Sequence, residues 1–390
     1  MEASNETEIC SGGDFVIDFT DDAAASFWTR SENEILLAYI GVPLAVAIGV
    51  PGNLAFLFTL FRVKEMQTIT NFYLANLAVS DLLYISLFAG YNTGAYFIAP
   101  DVANTFVVTS WLGCAVVTFS LDVLYFGSNL MVTLVAIERF YAICHPLKSR
   151  QSRSSGRALL LVTIFWAVAI GCSFAVVSRM SRYRTGCVIW PEDDDGNSGT
   201  RPSTVNFCLP GEPWVTLCTQ ILYVGFWTIG VLVNSYMYYR IVRRLGLHTF
   251  ATSADGGNQQ AEKKKKVRRQ VAKMLIISSI VYFLLQSPRV IILNVLGLIK
   301  AASGITIVQQ GQVTIMWPIT VFLSLVNSAV NPIIYNTTNA RYRAAILQAF
   351  GCSTCRGVDR QPSTTAATVS SRVAEQIESN PANSDQPNVE

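Results

Sequence analysis

Charged side chains are scarce in this sequence. Asp, Glu, Lys and Arg make up 14% of the 390 residues, and hydrophobic residues make up 51%, whereas soluble proteins usually carry about 25% charged residues. A large soluble helical protein needs a polar exterior, so this composition argues against that class. Histidine is also rare, since the chain has only His145 and His248. Because the sequence shows no nucleophile–base set and no cluster of metal ligands, we expect no enzyme, and nothing indicates a nucleic-acid partner.

The chain instead contains long apolar runs. A helix needs roughly 20 mostly apolar residues to cross a bilayer. Seven segments reach this length: residues 35–61, 71–99, 111–137, 158–178, 214–239, 274–299 and 313–335. The sequence therefore predicts an all-α membrane protein that folds as a seven-transmembrane helix bundle. A channel or secondary transporter is a remote alternative, since transporters often contain internal repeats and none is visible here.

The basic residues of the loops predict the orientation of the bundle. If the N-terminus lies outside, the inner loops 62–70, 140–157 and 240–273 carry sixteen Lys and Arg, and the outside segments carry six. Cytoplasmic loops are the ones enriched in Lys and Arg. We therefore expect a multi-pass protein of the plasma membrane with an extracellular N-terminus and a cytoplasmic C-terminus.

The first 34 residues form an acidic segment. They contain nine Asp or Glu and a single basic residue, Arg30. They lack the sustained apolar region of a cleavable signal peptide, and we expect a flexible extracellular tail. Asn5 begins an acceptor sequence for N-glycosylation in this tail.

The outside segments also hold cysteines and a long loop. The four cysteines in or beside these segments are Cys10, Cys114, Cys187 and Cys208. In an oxidising compartment they suggest two disulfides, with three possible connectivities. Within the long loop, residues 185–190 and 204–209 have the composition of strands, and the polar stretch between them includes the acidic run 192–195. This pattern predicts a β-hairpin with a long acidic tip.

The cytoplasmic side has its own signals. Residues 339–350 place apolar side chains on one helical face, which predicts a short interfacial eighth helix. Cys352 and Cys355 follow it and are candidates for S-palmitoylation. The basic run 263–269 fits either anionic lipid or a protein partner. The predicted organisation is an extracellular tail (1–34), a seven-helix domain with the interfacial helix (35–350) and a disordered cytoplasmic tail (351–390).

Short motifs occur in a fixed order along the seven segments. They are Gly52-Asn53, Leu77-Ala78-Val79-Ser80-Asp81, Trp111 with Cys114, Glu138-Arg139-Phe140, His145-Pro146-Leu147, Trp166 and Asn331-Pro332-Ile333-Ile334-Tyr335. Arg139 follows Cys114 by 25 residues. In these motifs and their order, the sequence resembles the rhodopsin-like (class A) G-protein-coupled receptors over residues 35–350. Residues 138–146 resemble the neuropeptide-receptor branch of that family.

The resemblance implies an ion site and a disulfide. The residues that would hold an allosteric sodium ion are Asp81, Ser128, Asn327 and Asn331, and the alternative is a sodium-free polar network that joins the helices. No other cofactor is implied. The family pattern also favours a disulfide between Cys114 and Cys208 over one between Cys114 and Cys187.

The resemblance implies a conformational switch at the cytoplasmic end. Arg139 would pair with Glu138 at rest and turn toward Tyr238 and Tyr335 on activation. Pro288 and Pro332 would act as bending points, because proline lacks an amide hydrogen. The partners implied are an extracellular ligand, a heterotrimeric G protein, arrestin and receptor kinases at the tail, and membrane lipid.

Three positions depart from the family pattern. Gly230 stands where the fifth segment usually has a proline, and Gln286 replaces the usual tryptophan of the sixth. Asn129 takes the place of an apolar residue of the third segment. We interpret these departures as a polar rearrangement in which Asn129, Tyr282 and Gln286 hydrogen-bond together, and independent drift is the alternative.

The expected pocket residues limit the ligand. Leu121 occupies the position of the aspartate that amine receptors use, and the seventh segment has no lysine for retinal. Arg289, near Gln286, would receive a carboxylate or a terminal amide carbonyl, or else pair with Asp122. The acidic tail and loop tip would attract a cation. We therefore predict a receptor for a short basic or amidated neuropeptide, and the alternative is an orphan receptor of the same fold that responds to a lipid or small molecule.

Overall fold

Long helices dominate the structure, a computed structural model that describes residues 13–21, 28–103, 105–152, 154–180, 182–191, 201–252, 259–304 and 310–351. Seven of the helices in this part are long and apolar enough to cross a membrane. Six of them are α1 (Glu32–Arg62), α2 (Ile69–Ile98), α3 (Trp111–Cys144), α4 (Ser155–Ala175), α5 (Pro213–Thr252) and α7 (Gln310–Thr338). The remaining one, α6, consists of three consecutive parts: the α-helical Gln259–Arg289, the π-helical Val290–Val295 and the α-helical Leu296–Ser303. Each helix covers all or most of one predicted segment, so the seven-transmembrane bundle is confirmed.

A short helix, α8 (Ala340–Ala349), follows α7. Tyr342, Ala345 and Ala349 of α8 are buried, which agrees with the predicted interfacial helix. We call the end of the bundle that carries α8 the inner end. The chain divides into the units Met1–Ala349 and Phe350–Glu390, and the predicted tail 351–390 lies almost wholly outside the described residues.

Hydroxyl side chains define where several of the membrane helices begin, among them α2, α3 and α4. The first amide groups of a helix have no acceptor within the helix, and a side-chain oxygen just before it can accept from one of them. The capping residues are Thr68, Ser110 and Ser154, whose hydroxyl oxygens lie 3.2–3.3 Å from the amide nitrogen three residues later. These caps fix the starts of α2, α3 and α4.

Pro288 of α6 and Pro332 of α7 each interrupt the backbone hydrogen bonds of their helix. Proline has no amide hydrogen, so the carbonyl four residues earlier loses its helical donor. Below Pro332 that carbonyl belongs to Ser328, and it accepts from Asn53 Nδ2 of α1 at 3.0 Å. Below Pro288 it belongs to Leu284, which accepts from the hydroxyl of Ser287 at 2.9 Å. Side chains therefore satisfy both carbonyls, and the π-helical segment of α6 begins two residues after Pro288.

A three-stranded sheet covers the outer end. Strands β2 (Arg182–Ile189) and β3 (Thr204–Leu209) pair antiparallel, which confirms the predicted hairpin. Strand β1 (Phe15–Asp18) pairs parallel with β2, with Val16 opposite Cys187. The prediction that the N-terminal tail is flexible is therefore wrong for these four residues. They are held because Ile17 is 1% exposed and packs against Val188 and Phe207.

The largest buried apolar cluster lies at the inner end. It contains residues from all seven membrane helices together with α8, among them Phe56, Tyr73, Met131, Tyr335 and Tyr342. The α8 side chains thus belong to the same core as the membrane helices. This arrangement positions α8 next to the inner ends of α1, α2 and α7.

Candidate functional site

A cavity of about 350 Å³ opens at the outer end of the bundle. Its aromatic lining residues are Trp28, Tyr91, Phe106, Phe207 and Trp317. Arg30 and Glu34 supply the charged groups of the lining. The walls thus come from α2, α7, the sheet and the segment around the start of α1. The sequence predicted the hairpin as part of this region but missed the contribution of residues 28–34.

Arg30 joins the N-terminal segment to the end of α2. Its guanidinium donates to the carbonyl oxygens of Ala99, Pro100 and Val102 at 2.9–3.1 Å, and it lies 5.4 Å from the centre of the Tyr96 ring. These carbonyls follow the C-terminal end of α2, where a cation interacts favourably with the helix dipole. Arg30 therefore fixes one wall of the outer cavity.

Asp14 anchors the segment just before β1. Its carboxylate accepts from the Thr185 amide at 2.9 Å and from Arg184 at 3.2 Å. The backbone hydrogen bond from Thr185, assisted by the charge of Arg184, lowers the pKa of the Asp14 carboxyl. Asp14 therefore stays ionised at neutral pH, and the attachment of this segment to β2 weakens only in acid.

Two charged residues lie deeper, between the helices. Arg289 of α6 is half-buried and donates to the hydroxyl of Tyr84 at 3.1 Å. Asp122 of α3 is fully buried and accepts a hydrogen bond from Tyr223. The guanidinium and the carboxylate interact electrostatically, while the predicted direct ion pair between them stays a prediction. Leu121 belongs to the neighbouring apolar cluster that contains Tyr84.

Gln286 connects α6 to α7 below these charges. Its side-chain oxygen accepts from Ser324 at 3.2 Å. The Tyr282 hydroxyl and the Asn129 side-chain nitrogen have no hydrogen-bond partner among the described residues. The Tyr282 hydroxyl nevertheless interacts with the Asn129 side chain, so what the structure does not show is the predicted hydrogen bonding of Gln286 to this pair. The reason is that Gln286 pairs with α7, which sequence spacing alone does not reveal.

Asp81 lies at the centre of the predicted ion site. It is 1% exposed, and its Oδ2 accepts from Asn331 Nδ2 at 2.9 Å. Its other oxygen, Oδ1, has no hydrogen-bond partner among the described residues. Ser128 is hydrogen-bonded to Ser80 at 2.9 Å, and Asn327 is buried. The structure thus brings Asp81 and Asn331 together, while the contribution of Ser128 and Asn327 to an ion site stays a prediction.

The inner end holds the predicted switch residues. Arg139 donates a hydrogen bond to the hydroxyl of Thr70 on α2. Tyr238 of α5 is hydrogen-bonded to Ser279 of α6 at 2.9 Å. Tyr335 is buried, with its ring 5.9 Å from that of Tyr342. The sequence identified Glu138, Arg139, Tyr238 and Tyr335 but missed Thr70 and Tyr342.

The predicted disulfide between Cys114 and Cys208 is present. Because Cys114 is bonded to Cys208, the alternative pairing of Cys114 with Cys187 is wrong, and Cys187 is disulfide-bonded as well. The bridge attaches β3 to the outer end of α3. The predictions for Asn5, Cys10, the acidic run 192–195, Cys352 and Cys355 concern residues that lie outside the described part of the chain.

These features define the class as a seven-helix membrane receptor. The family described as 7 transmembrane receptor (rhodopsin family) matches residues 52–335, and the chain belongs to this family. The growth hormone secretagogue receptor type 1 of Sus scrofa and that of Homo sapiens are each 26% identical over 78% of this chain and 78% of their own length. The neuromedin-U receptor 2 of Rattus norvegicus is 29% identical over 53% of this chain and 51% of its own length.

Proposed function

We propose that this chain is a plasma-membrane receptor that binds a short basic or amidated peptide and activates a heterotrimeric G protein. Membership of the rhodopsin family supports the receptor class, and the names of the similar receptors support a peptide ligand. The observation that carries the proposal is the outer cavity of about 350 Å³. It can accept the end of a peptide while the remainder lies along the sheet.

Charged groups at two depths favour a basic or amidated peptide. Glu34 in the cavity lining and Asp122 on α3 offer carboxylates to a cation. Arg289 offers a guanidinium to a terminal amide carbonyl or carboxylate, an interaction stronger than a neutral hydrogen bond. Leu121 and Gln286 would complete the contacts near the floor.

The inner end would carry the signal. In the resting state Arg139 stays with α2 and with its neighbour Glu138. Ligand binding then favours the packing in which Arg139 turns toward Tyr238 and Tyr335, while α6 and α7 bend at Pro288 and Pro332. Two such packings in equilibrium are enough for coupling between an outer and an inner site. Arrestin and receptor kinases would act on the tail.

A sodium ion would stabilise the resting packing. Asp81 and the side-chain oxygens of Ser128, Asn327 and Asn331 would hold it between α2, α3 and α7. When bound, the ion would neutralise the buried Asp81 carboxylate. The carboxylate oxygen without a hydrogen-bond partner supports this assignment.

A peptide screen tests the proposed function. Cells that express the chain are exposed to basic and amidated peptides, and calcium and cyclic AMP are read together. We expect at least one peptide to give a dose-dependent signal, and Arg289→Ala to lower its potency at least about tenfold, as loss of a charged hydrogen bond implies. Lys300→Ala is the control, since Lys300 is exposed at the end of α6. Responses to lipids but to no peptide would contradict the proposal.

The proposed orientation has a separate test. An extracellular N-terminus allows glycosylation at Asn5, whereas the second acceptor sequence, at Asn336, would face the cytoplasm. Enzymatic deglycosylation should therefore shift the mobility of the wild type and of Thr338→Ala but not of Asn5→Gln. The opposite pattern would reverse the orientation.

A further inference from the structure

Helix α8 is connected to the start of α2 by side-chain hydrogen bonds. The Tyr342 hydroxyl donates a hydrogen bond to Asn71 Oδ1, and Arg341 donates to the carbonyl of Glu65 just before α2. Asn71 Nδ2 donates to the carbonyl of Met66 at 2.6 Å, which orients the amide so that its oxygen faces Tyr342. Tyr342 and Asn71 are 4% and 6% exposed. Breaking this bond therefore leaves buried polar groups unsatisfied, which has a free-energy cost.

The same turn of α2 holds the switch arginine. Thr70, which accepts from Arg139, is the residue before Asn71. Thr68 caps this turn by accepting from the Asn71 amide at 3.3 Å. Thr70 and Asn71 therefore lie in one capped helical turn. In this turn Asn71 is hydrogen-bonded to Tyr342 of α8, and Thr70 is hydrogen-bonded to Arg139 of α3. A displacement of that turn changes both contacts together.

Tyr342 also contacts the tyrosine of α7. Its ring centre lies 5.9 Å from that of Tyr335 and 6.0 Å from that of Phe56, while Phe56 and Tyr335 are 5.2 Å apart. Burial raises the pKa of the Tyr342 phenol to about 12, so the hydroxyl remains a donor throughout the physiological range. Phenylalanine at this position would keep the ring contacts but not the bond to Asn71.

We propose that Tyr342 is a positioning residue for the switch. Its hydroxyl holds the first turn of α2, and through Thr70 it holds Arg139 in the resting position. Release of α8 from Asn71 therefore favours release of Arg139. This role rests on the proposed coupling to G proteins, whereas the bond between α8 and α2 does not.

Tyr342→Phe and Asn71→Leu test the role, alone and together. Amide hydrogen exchange is measured on purified receptor in lipid nanodiscs. In cells with equal surface expression of each variant, we measure how strongly the receptor recruits a panel of engineered G-protein surrogates in the absence of ligand. We expect each variant to speed exchange in α8 and in residues 64–66. Recruitment should rise roughly two- to tenfold, the range that one net hydrogen bond supports. Asn71→Leu also loses the hydrogen bond to the Met66 carbonyl, so the double variant should match Asn71→Leu, because Tyr342→Phe then has no further bond to remove.

The controls separate this role from a purely structural one. Tyr39→Phe removes the hydroxyl that accepts from Tyr96 at 2.7 Å near the outer end, and it should change neither readout at the inner end. Arg139→Ala, added to Tyr342→Phe, should remove the gain in recruitment.

Three outcomes would overturn the proposal. Faster exchange without greater recruitment would show that the bond serves only to dock α8. Unchanged exchange in Tyr342→Phe would show that the hydroxyl does not hold the turn. Additive gains in the double variant would show that the two residues act separately. Failure of the coupling function itself would appear as loss of every recruitment signal while the exchange differences persist.

Discussion

Gly230 lets α5 approach α3 and α6 closely. A Cβ atom at this position would lie 2.8 Å from Asn129 Oδ1 and 3.0 Å from the Phe283 ring. Next to it, Asn234 Nδ2 donates to the Gly230 carbonyl at 2.8 Å and to Thr133 of α3 at 3.0 Å. Where the family pattern has a proline, this chain thus has a residue whose small size permits tight packing.

Gly230→Ala should therefore destabilise the bundle. Overpacking costs about 1–3 kcal/mol, which exceeds the gain of up to about 1 kcal/mol from replacing a helical glycine by alanine. Gly225→Ala is the matched control in the same helix, because among the described residues no atom outside the adjacent backbone of α5 lies within 4 Å of its Cβ position. Thermal unfolding of the purified receptor should show a lower midpoint for Gly230→Ala and an equal or higher one for Gly225→Ala. Equal midpoints for the two variants would mean that α5 adjusts without cost.

Arg139→Ala should abolish G-protein activation while ligand binding and surface expression remain near wild type. The reason is its place at the inner end of α3, remote from the outer cavity, where it donates a hydrogen bond to Thr70 of α2. Nucleotide exchange on purified G protein, with surface receptor counted in parallel, measures the effect. Arg62→Ala is the control, since Arg62 ends α1 and lies over the Phe58 ring. Activation at the wild-type level would remove Arg139 from the switch.

Single residues also mark the limit of sequence-based prediction. The motifs identified Asp81 and Asn331 as neighbours because their types and spacing are distinctive, and they are hydrogen-bonded. The sequence did not reveal that Ser128 bonds Ser80 or that Gln286 bonds Ser324. Hydroxyl and amide groups have several possible partners, and the choice among them depends on helix rotations and distances that no local pattern encodes.

At the scale of elements, the helices were more predictable than β1. Each membrane helix can be identified in the sequence from a run of about 20 mostly apolar residues. Strand β1 has only four residues, Phe15–Asp18, and its partner strand lies far away in the sequence. Its stability comes from pairing with β2 and from burial of Ile17 against the hairpin, and neither is visible locally.

Ile17→Asp should detach β1 from the sheet. Ile17 is 1% exposed. Because burying an unpaired carboxylate at this position is strongly unfavourable, we expect β1 to separate from β2 in the variant. Val16→Asp is the matched control, since Val16 is 54% exposed on the opposite face of the same strand. Amide exchange along β2 should quicken in Ile17→Asp and remain slow in Val16→Asp. Equal protection of β2 in both variants would contradict the packing role of Ile17.

At the scale of the whole molecule, a polar chain crosses the middle of the bundle. Asp81 of α2 accepts from Asn331 of α7, and Asn331 Oδ1 accepts from Ser278 of α6 at 3.0 Å. Three helices are thus connected through buried polar groups within an otherwise apolar interior. A ligand that binds at Asp81 can therefore affect the relative stability of two packings of the entire bundle.

Sodium should stabilise the whole receptor through this site. A ligand that binds only the folded state adds RT ln(1 + [L]/Kd), which is about 1.4 kcal/mol when its concentration is ten times Kd. The unfolding midpoint of the wild type should therefore be higher in sodium chloride than in choline chloride at equal ionic strength. Asp81→Asn should lose this difference because it removes the negative charge, and Ser128→Ala should reduce it. Ser120→Ala is the control on α3, since the Ser120 hydroxyl donates to the carbonyl of Val116 within its own helix. Equal midpoints of the wild type in the two salts would argue instead for a sodium-free network that joins the helices.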